Sequence, residues 1–527
     1  MSSLEPKDSL AKNSNEEFSP LGQHELSVED FIHDKRPWYK VPHLRKMTFV
    51  IFLLTLSSTT SGYDGSVMNG LQSLLHWQSE MGTPTGDRLG HLANGVNFGC
   101  IIGVTIAPYI CDHYGRRTLV FIGSTVAVIG AILQGCSNSY GFFLASRVVL
   151  GFGAVLSSVA APVLISESAY PLHREASTFA YNVCWYLGAI IASWVTYGTR
   201  NINSNYAWKI PSFLQGVLPL VQVVFIFLIP ESPRYLVKKG KILEAEAVLR
   251  NFHAGGSTLP EDDALVQFEL SEIESAIAAE SEAAQSSYLD FIRVPRFRKR
   301  LFLVVFVAIM AQLSGNGLVS YYFVQVLRSI GITSTKRQLE INGCLMIYNF
   351  VICLTLTNLV TKFKRRVMFL TGCGGMLVCY VIWTILSALN EQAHFNNKSL
   401  ANGVLAFIFL YYLFYDIGLN GLPFLYLTEV LPYSHRAKGI NLMIFVTYSV
   451  LIFNGYVNTI AMDAIGWKYY IVYCCVNAVE LVIVYFTFPE TSGFTLEEVG
   501  QVFGDEVPDI KNKTLDNKAL TEHVEDV

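Results

Sequence analysis

Twelve stretches of this chain are long and apolar enough to cross a lipid bilayer as helices, and that count constrains everything else. A hydrocarbon core about 30 Å thick takes about 20 residues of α-helix. The qualifying runs fall at about 47–70, 90–110, 117–136, 141–164, 179–199 and 211–230. After a polar interval they resume at about 300–323, 341–361, 367–388, 402–427, 438–460 and 467–488. Lipid offers the peptide groups no water, so each run must satisfy its own backbone as a helix. The expected fold is an all-α membrane protein, with twelve transmembrane helices in two pseudo-symmetric six-helix bundles. Composition agrees: 52% of residues are hydrophobic and 15% charged, where a soluble domain carries about a quarter charged.

Several functional classes drop out at once. A balance of 38 basic against 42 acidic residues leaves a net charge of -4 and no basic footprint for nucleic acid. The ten cysteines lie mostly inside apolar runs (Cys100, Cys344, Cys353, Cys474, Cys475) and lack CxxC or Cys/His spacing. No disulfide frame, metal or other cofactor is therefore expected. Motifs such as HExxH and GxSxG are missing, which argues against an enzyme acting within the membrane. Residues 1–46 are polar and show no apolar core of a signal peptide, so the first span is expected to serve as the membrane signal.

Short connections carry an asymmetric charge. Arg116, Arg117, Lys362, Lys364, Arg365, Arg366, Arg436 and Lys438 all lie between an even span and the next odd one. The positive-inside bias places those connections and both termini in the cytoplasm. Arg88, Arg328, Lys336 and Arg337 on the opposite side make the bias imperfect. The expected divisions are a cytoplasmic tail at 1–46, a first bundle at 47–235, a cytoplasmic loop at 236–299, a second bundle at 300–488 and a tail at 489–527. Within the loop, LEAEAVLRNF and ALVQFELSEIESAIAAE place apolar residues at helical spacing, as short amphipathic helices lying on the membrane face would.

The two halves repeat. DHYGRR (112–117) echoes as TKFKRR (361–366), ESAYPLHR (167–174) as EVLPYSHR (429–436), and PESPRYL (230–236) as PETSGF (489–494). The offsets, 249, 262 and 259 residues, are nearly constant, and each motif falls at the same end of the equivalent span. Three matches in one order imply two homologous bundles, an architecture of transporters with a site between the halves.

With GYDGSVMNGL (62–71), RVVLGFG (147–153), WKIP (208–211), QLSGNGLVSYY (312–322) and PETSGFTLEEV added, the ordered set resembles the sugar porter branch of the major facilitator superfamily. Within that branch it is most similar to fungal lactose permease-like carriers, over roughly residues 47–500. The resemblance implies a multi-pass carrier at the plasma membrane, working as a monomer. Its partners would be a small sugar, a proton and the surrounding lipid. A facilitative uniporter, a sugar sensor and an exporter of a non-sugar metabolite stay open. Sensors of this fold carry long C-terminal tails, whereas about 35 residues follow PETSG here.

Individual residues divide into three groups. Asp64 lies inside the first apolar run, where a carboxylate is costly and normally faces a cavity with a partner; Arg147 in the fourth run is the natural one. The resemblance makes these the proton-coupling pair, and a permanent structural ion pair is the alternative. The resemblance also assigns Asp112, Gly115, Arg116, Arg117, Glu167, Arg174, Glu231 and Arg234, with Glu429, Arg436 and Glu490, to a charged latch that holds the outward-facing state. The second DHYGRR copy has Thr361 for its acid and Lys364 for its glycine, so the second latch is expected to be weaker. Topogenesis and headgroup contact would explain the bases but not the paired acids.

The third group is the substrate wall. Gln312, Asn316 and Ser320 recur at helical spacing, as do Asn182, Tyr186 and Ser193, and Asn342 and Asn349 lie one heptad apart. Amides that donate and accept, with aromatic rings such as Tyr321, suit a sugar, although hydrogen bonding between helices would use the same residues. Position by position, Asn182 stands where many sugar porters have Gln, and Ala311 replaces the first Gln of a pair, leaving Gln312. Gly317 stands for Asn, Phe424 for Trp, and Thr447 for Asn or Gln. These smaller side chains suit a disaccharide such as lactose or cellobiose better than a hexose. Gly95, Gly99 and Gly103 form a small-residue track expected to seat a neighbouring helix, with a dimer interface as the minor alternative. Two sequons, at Asn397 and Asn512, report topology, and only Asn397 is expected on the glycosylated side.

Overall fold

The computed structural model describes residue 36 and residues 38–504, apart from positions 258, 284–286, 361, 396 and 495. Most of the two tails, including the Asn512 sequon, and Thr361 therefore lie outside the described residues. Twelve spans follow in order: span 1 Pro42–Ser73, span 2 Gly86–Tyr114, span 3 Arg116–Cys136, span 4 Tyr140–Ser168, span 5 Arg174–Thr199 and span 6 Tyr206–Leu228. The second set is span 7 Pro295–Ser329, span 8 Thr335–Val360, span 9 Arg365–Gln392, span 10 Lys398–Val430, span 11 Tyr433–Ile465 and span 12 Tyr469–Thr487. Most run several residues past their apolar core, because a helix continues into the interface until a Gly, Pro or loop stops it. Large apolar side chains such as Phe227 and Phe486 stand exposed on the outer surface, where lipid covers them.

Three spans that read as continuous are broken. Span 6 bends at Gln215–Gly216, between helices Tyr206–Leu214 and Val217–Phe225. Span 7 divides into Pro295–Leu313 and Asn316–Ser329 at Gly315, whose φ of 106° is left-handed and whose missing side chain leaves room for the Tyr380 ring. Span 10 divides into Lys398–Gly418 and Leu422–Val430 around Gly421, at φ 137°. Broken helices free backbone polar groups at membrane depth, which is tolerated where they are buried in protein or line a cavity.

Spans 1–6 and 7–12 form separate bundles with their own apolar cores, and a third core at the ends of the spans distant from the charged motifs joins the two. The glycine track of span 2 packs on span 4, so close that a Cβ at Gly99 would overlap the Val148 carbonyl oxygen. Between the bundles, helices Pro233–Lys238, Ile242–Phe252 and Pro260–Ala283 bury Leu236, Leu249, Val266 and Leu270 against one another, the apolar faces seen in the sequence.

Hydrogen bonds between the bundles run from mid-span to the end distant from the motifs. Asn69 Nδ2 donates to the Ser320 carbonyl (2.5 Å) and Gln72 Nε2 to that of Tyr321 (3.0 Å). Thr335 reaches the Ser73 carbonyl at 3.1 Å, and Asp463 accepts from the Gly86 N–H at 2.7 Å. Beyond this seal lies a vestibule of about 320 Å³ lined by Gln72, Gln325, Arg328 and Asp463.

Candidate functional site

Asp64 sits two-thirds of the way along span 1, 4% exposed, and Arg147 lies two turns into span 4, 3% exposed. Asp64 Oδ1 is 3.4 Å from Arg147 Nη1. The same oxygen accepts from Gln215 Nε2 at 2.7 Å, and Gln215 occupies the break in span 6. The ion contact is long, and Arg147 keeps Nε and Nη1 buried without a hydrogen-bond partner. A carboxylate held by a short amide bond and a loose guanidinium can lose the cation by a small helix movement.

At the motif end, Arg116 grips Glu167 with two nitrogens, at 3.0 and 3.3 Å, and approaches Asp112 at 3.8 Å. Glu231 Oε1 accepts from the backbone N–H groups of Arg116 and Arg117 (3.0 and 3.2 Å), while Ser232 donates to Glu167. Gly115 lets the chain enter span 3 at φ 97°, with the Glu231 carboxylate where a Cβ would stand. The second half repeats this piece for piece. Arg365 binds Glu429 Oε1 at 3.1 Å, Glu490 accepts from the N–H groups of Arg365 and Arg366, and Thr491 donates to Glu429. Lys364 for glycine therefore leaves the cradle in place: the Arg365 N–H still reaches Glu490 at 2.9 Å. Arg174 opens span 5, Arg234 lies in helix Pro233–Lys238, and Arg436 lies in the first turn of span 11, all at this end.

Between the bundles, the amide stripes separate into two kinds. Ser193 and Asn342 bond to each other across spans 5 and 8 at 2.9 Å, which is helix-to-helix fastening. Asn316 instead meets aromatic hydroxyls: its Nδ2 donates to Tyr415 at 2.9 Å, and its Oδ1 accepts from Ser320 (2.7 Å) and Tyr412 (3.3 Å). Gln312 is half-buried, and its carbonyl accepts from Asn454 at 2.8 Å. Tyr321 is half-buried beside the seal, its carbonyl held by Gln72. Thr447 bonds back to Met443 on its own helix at 2.9 Å. Asn349 is wholly buried, with both ends of its amide unpartnered.

Two buried acids, Asp416 and Glu480, lie outside the motifs singled out in the sequence. Asp416, in the apolar run of span 10, accepts at Oδ1 from the Tyr186 hydroxyl of span 5 (2.8 Å) and from Asn420 Nδ2 (2.9 Å). The lone charge in an apolar run, the signal that singled out Asp64, was equally present here. Asn420 follows Asp416 on the turn that breaks span 10, Phe424 lies in the helix beyond it, and Asn182 continues the Tyr186 face by one turn. Exposure rises toward the motif end, reaching 49% at Phe424. Hydrogen bonds between the bundles lie from mid-span to the far end, with Tyr186–Asp416 among them, whereas Asn182 and Phe424 are exposed nearer the motifs.

The model of the family described as "Sugar (and other) transporter" matches residues 50–503. The chain belongs to that family. It is a carrier of the major facilitator superfamily, not an enzyme, and a multi-pass integral membrane protein. It is 27% identical over 502 residues to the high-affinity glucose transporter of Kluyveromyces lactis, covering 92% of this chain and 90% of that protein. It is 28% identical over 467 residues to the MFS-type transporter oryC of Aspergillus oryzae, covering 86% of each. Among solved structures, the proton:xylose symporter XylE bound to 6-bromo-6-deoxy-D-glucose superposes with a TM-score of 0.70 at 20% identity, over 87% of this chain and 99% of that one. An inward open conformation of XylE from E. coli gives 0.69 at 19% identity, over 86% and 99%.

Proposed function

We propose that this carrier imports a sugar together with a proton by alternating access, a disaccharide such as lactose or cellobiose being favoured over a hexose. The observation that carries the reading is the buried Asp64, held by Gln215 at 2.7 Å and by Arg147 at 3.4 Å. An acid that gains and loses its cation as helices move can load a proton on one side and release it on the other. The named glucose carriers among its relatives and the proton:xylose symporter of the same fold support sugar and proton as the cargo. The sugar would lie below Tyr186 and Asp416, against Asn182, Gln312, Asn316 and Phe424, whereas Asn349 is wholly buried. Those amides both donate and accept, and the exposed ring of Phe424 offers a face for sugar C–H groups.

Arg116–Glu167 joins spans 3 and 4 and Arg365–Glu429 joins spans 9 and 10, so each cluster braces its own bundle, and in this reading the latch that holds the outward-facing state is released between the bundles. The exposure of Asn182 and Phe424 nearer the motifs corresponds to the cytoplasm-facing state, with both termini inside and the chain in the plasma membrane as a monomer. The test is uptake by the full-length chain in yeast lacking its own sugar carriers. Labelled glucose, xylose, lactose and cellobiose are offered with the proton gradient intact or collapsed by a protonophore. Accumulation above the outside concentration that vanishes with the gradient is expected. Equilibration alone would make the protein a uniporter, binding without flux a sensor, and efflux without uptake an exporter.

A further inference from the structure

We propose that Asp416 is a second exchangeable-proton site of this carrier, tied to the separation of the two bundles through Tyr186. The inference deepens the proton-coupled reading above and rests on it.

Three observations converge. The first is composition of the surroundings. Asp416 is 7% exposed, and its Oδ2 is buried without a hydrogen-bond partner. Around it stand Tyr186 from span 5, Tyr348 and Cys353 from span 8, and Tyr412, Tyr415 and Asn420 from its own span. None of these is a cation. Asp64 has an arginine; Asp416 has only hydroxyls, a thiol and an amide. A buried carboxylate charge without a cation is costly, whereas a carboxylic acid with two donors on one oxygen and its own proton on the other is compatible with such a wall.

The second is access. Asn420, on the turn where span 10 breaks, is half-buried beside Asp416, and on span 5 the stripe from Tyr186 to Asn182 passes from a buried to an exposed position. A proton on Oδ2 is thus a few side chains from the exposed residues nearer the motifs. The third is coupling. Tyr186 belongs to the first bundle and Asp416 to the second, and their 2.8 Å bond is among those that join the two. When the bundles part at this level, the Tyr186 donor leaves, water enters, and the proton passes from Oδ2 to that water as the carboxylate becomes hydrated. Return of Tyr186 expels water, and the carboxylate takes a proton back. No other reactant is required.

The test is a pH titration of the purified full-length chain in lipid, followed by difference infrared spectroscopy in the protonated-carboxyl stretch region without any sugar. Wild type, Asp416→Asn, Asp64→Asn, Glu480→Gln and Tyr186→Phe are compared. Glu480→Gln is included because that buried acid also lacks hydrogen-bond partners and would contribute a band of its own. Wild type is expected to show a titrating band that disappears in Asp416→Asn and survives in Asp64→Asn and Glu480→Gln. Tyr186→Phe keeps the acid but removes its donor, so the same band should shift to higher frequency; that variant decides the matter if Asp416→Asn does not fold. A wild-type titration reproduced unchanged by both Asp416→Asn and Tyr186→Phe would overturn the proposal. Failure of the transport reading would instead appear as absent sugar uptake, which this sugar-free measurement does not touch.

Discussion

Gln215 donates its side-chain amide to Asp64 at 2.7 Å, shorter than the 3.4 Å between that oxygen and Arg147. Gln215 lies where the two helices of span 6 meet and reaches the first span from there. An amide cannot accept the proton that Asp64 would release, so in the proposed coupling Gln215 would hold the carboxyl in place. Asp64→Asn is expected to abolish uphill accumulation and to spare part of the downhill exchange. Gln215→Leu should keep the acid and alter the pH profile of uptake. Normal proton-driven accumulation by Asp64→Asn would remove this residue from coupling.

Replacing Arg116 is expected to cost stability that lysine restores only in part. Its guanidinium meets both oxygens of Glu167, which also accepts from Ser232. Arg116→Ala leaves a largely buried carboxylate without its cation, at a cost of about 3–5 kcal/mol. Arg116→Lys restores one charge but not the two-pronged geometry, and should recover only part of the loss. Thermal unfolding in detergent measures both, and Arg365→Ala should behave alike because its environment repeats the first.

How much of this could be read from residues alone differs between fold and site. The spans were legible because twenty apolar residues in lipid have one solution. The breaks in spans 7 and 10 were not. A glycine in an apolar run looks the same whether it packs closely, as Gly99 does, or turns left-handed, as Gly315 and Gly421 do. In the site, Asp64 and Arg147 stood out as charges among apolar residues. Asp416 and Glu480 carry the same signal, but neither lies within a motif that repeats between the halves. The polar stripes were visible, but periodicity cannot say which neighbour a stripe meets. Asn316 turns to aromatic hydroxyls while Asn342 fastens two helices.

Close packing gives a third prediction. Gly99 faces the Val148 carbonyl across spans 2 and 4, and backbone cannot yield as a side chain can. Gly99→Leu should sharply reduce the yield of folded protein, read by monodispersity after purification. A well-behaved Gly99→Leu protein would show that the track does not seat span 4 as described.

Asn316 offers the cleanest test of the substrate wall. Asn316→Ala removes a donor and an acceptor that Tyr412, Tyr415 and Ser320 share with any ligand there. The expected loss is about 1–3 kcal/mol, roughly a 5- to 150-fold rise in the apparent KM at unchanged surface expression. Gln312→Ala and Asn182→Ala should act in the same direction. Wild-type kinetics in all three would move the binding site elsewhere.

Topology underlies the side assignments, and the two sequons address it. Asn397 caps span 10, its side chain accepting from the Ser399 N–H at 3.0 Å, at the end of the bundles distant from the charged motifs. Asn512 follows the last span and belongs to the opposite side if the twelve-span count holds. Only the lumenal side is glycosylated, so with the termini inside, as proposed, Asn397 is the permitted acceptor and Asn512 the forbidden one. The cap bond and the nearby membrane should make modification of Asn397 inefficient, so a partial shift on glycosidase treatment is expected there and none at Asn512. Asn397→Gln should abolish the shift. A glycan at Asn512 would invert the orientation or change the span count, and it would move the motif clusters, with the latch assigned to them, to the outer face of the membrane.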